Sequence, residues 1–295
     1  MALTLAGTYT ALVTPFTADG ALDLRALAEL VEWQIASGVD GLVPCGSTGE
    51  AATLSHDEHV RVVRHVVEVA AKRVPVVAGA GSNSTREARE LSAAARSAGA
   101  AAALLISPYY NKPTQEGIFQ HYRAVASEAR LPILAYNVPG RTASRVESET
   151  TARLSRVPGI AGLKECGADL IATSETIARS APSFAVLSGD DALTLPMLAI
   201  GARGAISTIS NVVPGATAEL TRAYAAGNYA RARALHYELL PLAQALFIES
   251  NPIPVKTALA ILGRIPSAAL RLPLTEISKA NRERLEAVLA ELPRA

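Results

Sequence analysis

Lys164 closes an apolar, β-like run, "GIAGLKEC" (159–166), in a chain with only five lysines: Lys72, Lys112, Lys164, Lys256 and Lys279. An amine at the end of such a run is partly desolvated, which disfavours its ammonium form and lowers its pKa. The neutral amine is a nucleophile toward the carbonyl of a 2-oxo acid, and the Schiff base so formed is an electron sink. An enamine drawn from it adds to an aldehyde. That chemistry needs proton carriers within reach, and Tyr136, Tyr110 and the hydroxyls of Ser47 and Thr48 are the candidates. The turn amides of "GSTG" (46–49) form a cradle of N–H donors suited to a substrate carboxylate. Each residue also has a structural reading: a lysine facing solvent, a turn leading into a helix, tyrosines plugging a barrel, Arg141 as a surface arginine.

What brings such residues to one place is the order of the elements. Eight β-like runs recur at 8–15, 41–46, 74–81, 101–108, 131–139, 159–165, 184–191 and 204–210. Amphipathic stretches such as "DLRALAELVEWQIASG" lie between them, with apolar residues at i, i+3, i+4 and i+7. Ser55 with Glu58 and Ser84 with Glu87 have capping-box spacing, and Gly38 and Gly99 stand where left-handed C-caps belong. This alternation predicts an α/β chain folded as a (β/α)8 TIM barrel with a C-terminal helical extension. The alternative, an open doubly wound sheet, lacks its "GxGxxG" fingerprint here. The expected division is a barrel over 1–225 and a helical domain over 226–295, in which Ser250 or Asn251 caps the helix entered at "SNPIPVK". In such a barrel the strand C-termini carry the site, and "GSTGE", "SPYYN", "YNVPGRT", Lys164 and "SGDD" all fall there.

Composition narrows the partners. A net charge of +1 with 19% charged residues gives no field that would draw nucleic acid or an anionic membrane, so a small molecule is the expected ligand. Cys45 and Cys166 fit neither a disulfide scaffold nor a zinc cluster and read as small apolar fillers in a reducing, cytoplasmic setting. The N-terminus "MALTLAGTYTALVTPF" lacks a signal-peptide leader, and no apolar run reaches membrane-spanning length.

Taken in order, "GSTGE", "SPYYN", "YNVPGRT", "GLKE", "LSGDD" and "NPIPVK" span nearly the whole chain. Together they resemble the class I pyruvate-dependent aldolases, the family that includes N-acetylneuraminate lyase. The resemblance implies a pyruvate Schiff base on Lys164 and Tyr136 as general acid/base, linked through Ser47 to Tyr110 of a neighbouring subunit. It implies that Thr48 binds the pyruvate carboxylate, that Arg141 binds the carboxylate of L-aspartate 4-semialdehyde, and that Gly189 and Ile206 line the pyruvate pocket. No cofactor or metal is implied, and the implied assembly is a homotetramer built as a dimer of dimers. An L-lysine effector site at a subunit interface would use Ala52, His56, His59, Gly81, Asn83, Glu87 and Tyr109. The sequence departs from the family pattern at Ser47, where threonine is usual, and at Ala51, where some relatives have serine. Two other readings stay open: cleavage of a 2-keto-3-deoxy sugar acid or N-acetylneuraminate by the same amine, and a non-catalytic barrel that binds an effector. Arg141 favours the semialdehyde over the sugar acids, because a short carboxylate needs a cationic partner.

Overall fold

The computed structural model describes residues 3–292; the outermost positions of the expected division, 1–2 and 293–295, lie outside them. The elements run β1 (Gly7–Ala11), α1 (Leu24–Ala36), β2 (Gly41–Val43), α2 (His56–Ala70), β3 (Val77–Gly79), α3 (Thr85–Ser97), β4 (Ala102–Ile106) and α4 (Gln115–Ala129). They continue as β5 (Ile133–Asn137), α5 (Pro139–Thr142), α6 (Ser148–Leu154), β6 (Ile160–Glu165), α7 (Leu170–Arg179), β7 (Ala185–Ser188), α8 (Thr194–Ala199) and β8 (Gly204–Ser207). Four helices follow: α9 (Pro214–Ala225), α10 (Tyr229–Ala245), α11 (Ile253–Ile261) and α12 (Lys279–Ala290).

Each expected β-run corresponds to one strand, shorter than the run; β1 starts one residue ahead of its run, at Gly7. The surplus residues at the C-terminal ends, Pro44–Gly46 and Asp190–Asp191 among them, leave the ladder for turns that bear the site. All pairings are parallel, in the order β2-β1-β8-β7-β6-β5-β4-β3. A parallel bridge between Leu42 and Val76 closes the ring, and Gly79 N donates to Pro44 O at 2.9 Å. A closed ring leaves no edge to protect and buries every strand on two faces. One core cluster fills the lumen with Tyr9, Val43, Leu104, Leu134, Leu187 and Ile206; the larger cluster lies between strands and helices.

The helix signals hold with two exceptions, at Ser84 and at the start of α11. Ser55 and Glu58 form the reciprocal capping box, and Gly38 and Gly99 take φ of 84° and 91° directly after α1 and α3. At Ser84 only half a box forms, because the Glu87 carboxylate turns instead to the Ser82 hydroxyl and to His56. The expected cap of α11 is corrected: Pro252 is the N-cap residue, without a side-chain bond, and the Asn251 amide reaches Thr48 on the barrel.

The C-terminal segment is fastened to the barrel through a buried ion pair. Lys256 Nζ lies 2.7 Å from Glu50 Oε1, and both side chains are fully buried. Glu50 ends "GSTGE" in a left-handed conformation, φ 54°, which a non-glycine residue holds only when its surroundings fix it. Arg271 completes the clasp: its amide N donates to Glu50 Oε2 at 3.2 Å, and its guanidinium makes a bidentate pair with Glu58. Lys256 and Arg271 both stack on the Phe16 ring, at 4.1 and 4.4 Å from its centroid. Breaking a buried pair strands the remaining charge, so Glu50→Ala is expected to lower the unfolding free energy by about 3–5 kcal/mol. Urea unfolding should then show the double variant Glu50→Gln/Lys256→Met recovering most of that loss; an unchanged midpoint in Glu50→Ala would refute the clasp.

Candidate active site

Parallel register decides which side chains meet at the rim. Tyr136 of β5 pairs with Lys164 of β6, and the next residues, Asn137 and Glu165, pair with each other. Because successive side chains point to opposite faces, Tyr136 and Lys164 share the lumen face. Lys164 Nζ accordingly sits 4.4 Å from the Tyr136 ring centroid. On the other face Asn137 Nδ2 donates to both carboxylate oxygens of Glu165, at 3.1 and 2.9 Å. Asn137 Oδ1 accepts from Val146 N at 3.0 Å, pinning the loop that follows α5 and so the short helix that carries Arg141.

Lys164 is 6% exposed, and no carboxylate pairs with it among the described residues. Burial therefore pulls its pKa below the ordinary lysine value, with Cys166 and Asp191 opposing and Arg141 adding slightly. Burial likewise pushes the Tyr136 phenol well above its usual value, Cys166 adds to this, and the Ser47 hydroxyl opposes it. An amine whose neutral form burial favours and a phenol that burial keeps protonated thus stand together, the first suited to attack a carbonyl and the second able to donate a proton. Gly189 closes the site from β7. A Cβ there would stand 2.6 Å from Lys164 Cε and would also strike Cys166 Sγ, so only glycine lets the lysine chain pass. Asp191 Oδ2 accepts the amides of Thr208 and Ile209 at 2.9 and 3.0 Å, fixing the exit of β8, whose Ile206 is fully buried in the lumen cluster.

A cleft of about 450 Å³ opens beside this group, lined by Ser47, Tyr136, Arg141 and Asn251. Thr48 is buried next to it, its Oγ1 accepting from Asn251 Nδ2 at 2.9 Å. The amides of Ser47 and Thr48 donate to no acceptor among the described residues, which leaves them for a bound carboxylate. Arg141 is held by Asn251, whose carbonyl accepts Nη2 at 3.0 Å. The same cleft runs on to His56, His59, Gly81, Glu87, Tyr109 and Ala52. There His56 Nε2 lies 2.7 Å from Glu87 Oε1, and Asn83 Nδ2 donates to the Tyr109 carbonyl at 3.2 Å. His59 is buried, and burial lowers its pKa, whereas the Glu87 carboxyl is held low by Ser82 and then by His56. Of the residues expected to carry protons, Tyr110 alone is not gathered at the site within the protomer: it is 89% exposed, at φ 70°.

Four contributors escaped sequence reasoning. Cys166 is more than a filler, since its thiol adjoins Tyr136 and the lysine chain and burial raises its pKa to about 11. Asn137, Glu165 and Asn251 act through long-range partners that no local pattern announces, although Asn251 stands inside the quoted "NPIPVK". Among the described residues no group of three or more His, Cys, Asp or Glu could hold a metal ion. None of the described helices is long and apolar enough to cross a membrane.

A barrel that places a desolvated lysine in register with a buried tyrosine at its strand C-termini defines a Schiff-base lyase of the class I aldolase type. Residues 4–292 match the Dihydrodipicolinate synthetase family, and the chain belongs to that family. It is 53% identical over 285 residues to the 4-hydroxy-tetrahydrodipicolinate synthase of Nitratidesulfovibrio vulgaris, covering 96% of this chain and 97% of the relative. Among solved structures it is similar to the chloride-inhibited dihydrodipicolinate synthase of Acinetobacter baumannii complexed with pyruvate, with a TM-score of 0.95, 44% identity, and coverage of 97% and 98%. It is similar as well to the Cyanidioschyzon merolae enzyme with lysine bound, with a TM-score of 0.94, 38% identity and 97% of each chain covered.

The amine predicts its own test. Borohydride added with pyruvate should place the mass adduct on the Lys164 peptide, and its rate should reach half-maximum at a pH below the roughly 10.4 of a free lysine. A label on another lysine, or a midpoint at or above that value, would contradict a desolvated nucleophile.

Proposed function

We propose that this chain catalyses the 4-hydroxy-tetrahydrodipicolinate synthase reaction, condensing pyruvate with L-aspartate 4-semialdehyde on the diaminopimelate route to L-lysine. The observation that carries this reading is the Lys164 amine, buried without a carboxylate partner over the Tyr136 ring. Lys164 Nζ adds to C2 of pyruvate, and loss of water leaves an iminium ion. Removal of a C3 proton gives the enamine, whose C3 attacks the aldehyde carbon while Tyr136 delivers a proton to the new alkoxide. The amino group of the adduct then closes on the imine carbon and expels the lysine. In this reading Thr48 and the free turn amides hold the pyruvate carboxylate, Arg141 holds that of the semialdehyde, and Gly189 and Ile206 wall the pyruvate side.

Protons pass between Tyr136 and solvent through Ser47 and through Tyr110 of a neighbouring subunit. The outward placement of Tyr110, at φ 70°, supports a donated residue and with it at least a dimer. In this reading the dimers pair into a homotetramer that works in the cytoplasm. Residues 1–225 form the catalytic barrel and 226–295 the helical part that buttresses it. L-lysine binds where Ala52, His56, His59, Gly81, Asn83, Glu87 and Tyr109 gather. The cleft that this region shares with Ser47 and Tyr136 supports an effect of that ligand on turnover.

In a coupled assay Arg141→Ala should raise KM for L-aspartate 4-semialdehyde by about 10- to 100-fold, the worth of a charged hydrogen bond, while pyruvate trapping persists. Intact semialdehyde turnover, or preferred cleavage of 2-keto-3-deoxy sugar acids, would overturn the substrate assignment. L-lysine titrated to millimolar levels should inhibit the wild type and should lose potency in Glu87→Ala, whereas an uninhibited wild type would end the effector reading.

A further inference from the structure

Asn251 touches both carboxylate subsites with different atoms. It is 7% exposed and lies just ahead of α11, in the segment that Lys256 clasps to Glu50. Its amide Nδ2 donates to Thr48 Oγ1 at 2.9 Å, and its main-chain carbonyl accepts Arg141 Nη2 at 3.0 Å. Its remaining side-chain polar atom, Oδ1, is buried and has no partner among the described residues. A buried acceptor left unpaired costs about 1–3 kcal/mol, so this amide is not arranged for stability. Its one bond goes to the residue placed to receive the keto-acid carboxylate.

We infer that Asn251 is the positioning residue for pyruvate, setting the Thr48 hydroxyl through its side chain while its backbone alone steadies Arg141. A hydroxyl has one proton and two lone pairs. When Asn251 Nδ2 occupies a lone pair, the Thr48 proton is left for an anion, and the hydroxyl becomes a donor of fixed direction. An acceptor in place of Nδ2 would capture that proton and turn it away from pyruvate. The Arg141 contact uses a carbonyl that every residue type supplies, so changes of the side chain spare it. The two subsites are therefore separable at a single position.

This inference rests on the pyruvate site proposed above, and reductive trapping separates the two. If borohydride fails to fix pyruvate to wild-type Lys164, the proposed site itself falls. If the wild type is trapped, Asn251→Ala is expected to raise half-saturating pyruvate by about five- to tenfold, a typical net hydrogen bond. KM for L-aspartate 4-semialdehyde should move less than about twofold, and thermal unfolding should stay close to that of the wild type, since the variant also removes the orphan oxygen. Asn251→Asp, which only accepts when ionised and adds a negative charge beside the carboxylate, should weaken pyruvate further than alanine does. Thr48→Val should abolish the effect of Asn251→Ala, because the pair acts as one unit. Equal loss for both substrates, a large fall in Tm without a pyruvate shift, or additive effects with Thr48→Val would each overturn the inference.

Discussion

The site depends on one unreturned charge. Lys164 is buried where its ammonium form has lost water and gained no paired carboxylate among the described residues, and that loss outweighs the pull of Asp191 and favours the free amine. Lys256 is the control within the same chain. It is as deeply buried, and burial also pulls its pKa down, but Glu50 stands 2.7 Å away and answers its charge. One lysine is a fastener and the other is the proposed nucleophile, and the difference lies in the presence of a paired counter-ion. Folding supplies it in one place and withholds it in the other.

The fastener matters to the nucleophile because the two lie on one mechanical path. Lys256 grips Glu50, Asn251 grips Thr48, and these two contacts hold the middle and the end of the turn from the same six-residue stretch of the C-terminal segment. The turn leaves the amides of Ser47 and Thr48 open, and its last residue, Glu50, holds a left-handed φ beside the ion pair. The helical appendage is thus a wall of the site, and barrel and appendage are coupled through the ligand cradle. Asn137 and Glu165 perform the corresponding task on the outer face, tethering the loop after Arg141.

The same cleft joins this chemistry to the His56–Glu87 group. Tyr109 and Tyr110 stand side by side there, one lining the cleft and the other turned out to solvent. A ligand that fixed the first would restrain the second through a single peptide link. Coupling of that kind needs no change of fold, only a change in the freedom of one exposed phenol.

The sequence by itself determined the eight-fold alternation, the helix caps at Ser55, Gly38 and Gly99, and the rim positions of Lys164, Tyr136, Ser47, Thr48 and Arg141, because periodicity and turn chemistry are written in near neighbours. Tertiary structure alone decided that Lys164 faces the Tyr136 ring, since strand register is a relation between segments 28 residues apart. It decided as well that Asn251 serves Thr48 instead of capping its own helix, and that Glu87 serves His56 instead of completing a capping box. Short polar side chains have competing partners of similar worth, about 1 kcal/mol each, so local rules cannot choose among them. The choice falls to whichever partner the folded chain brings within 3 Å.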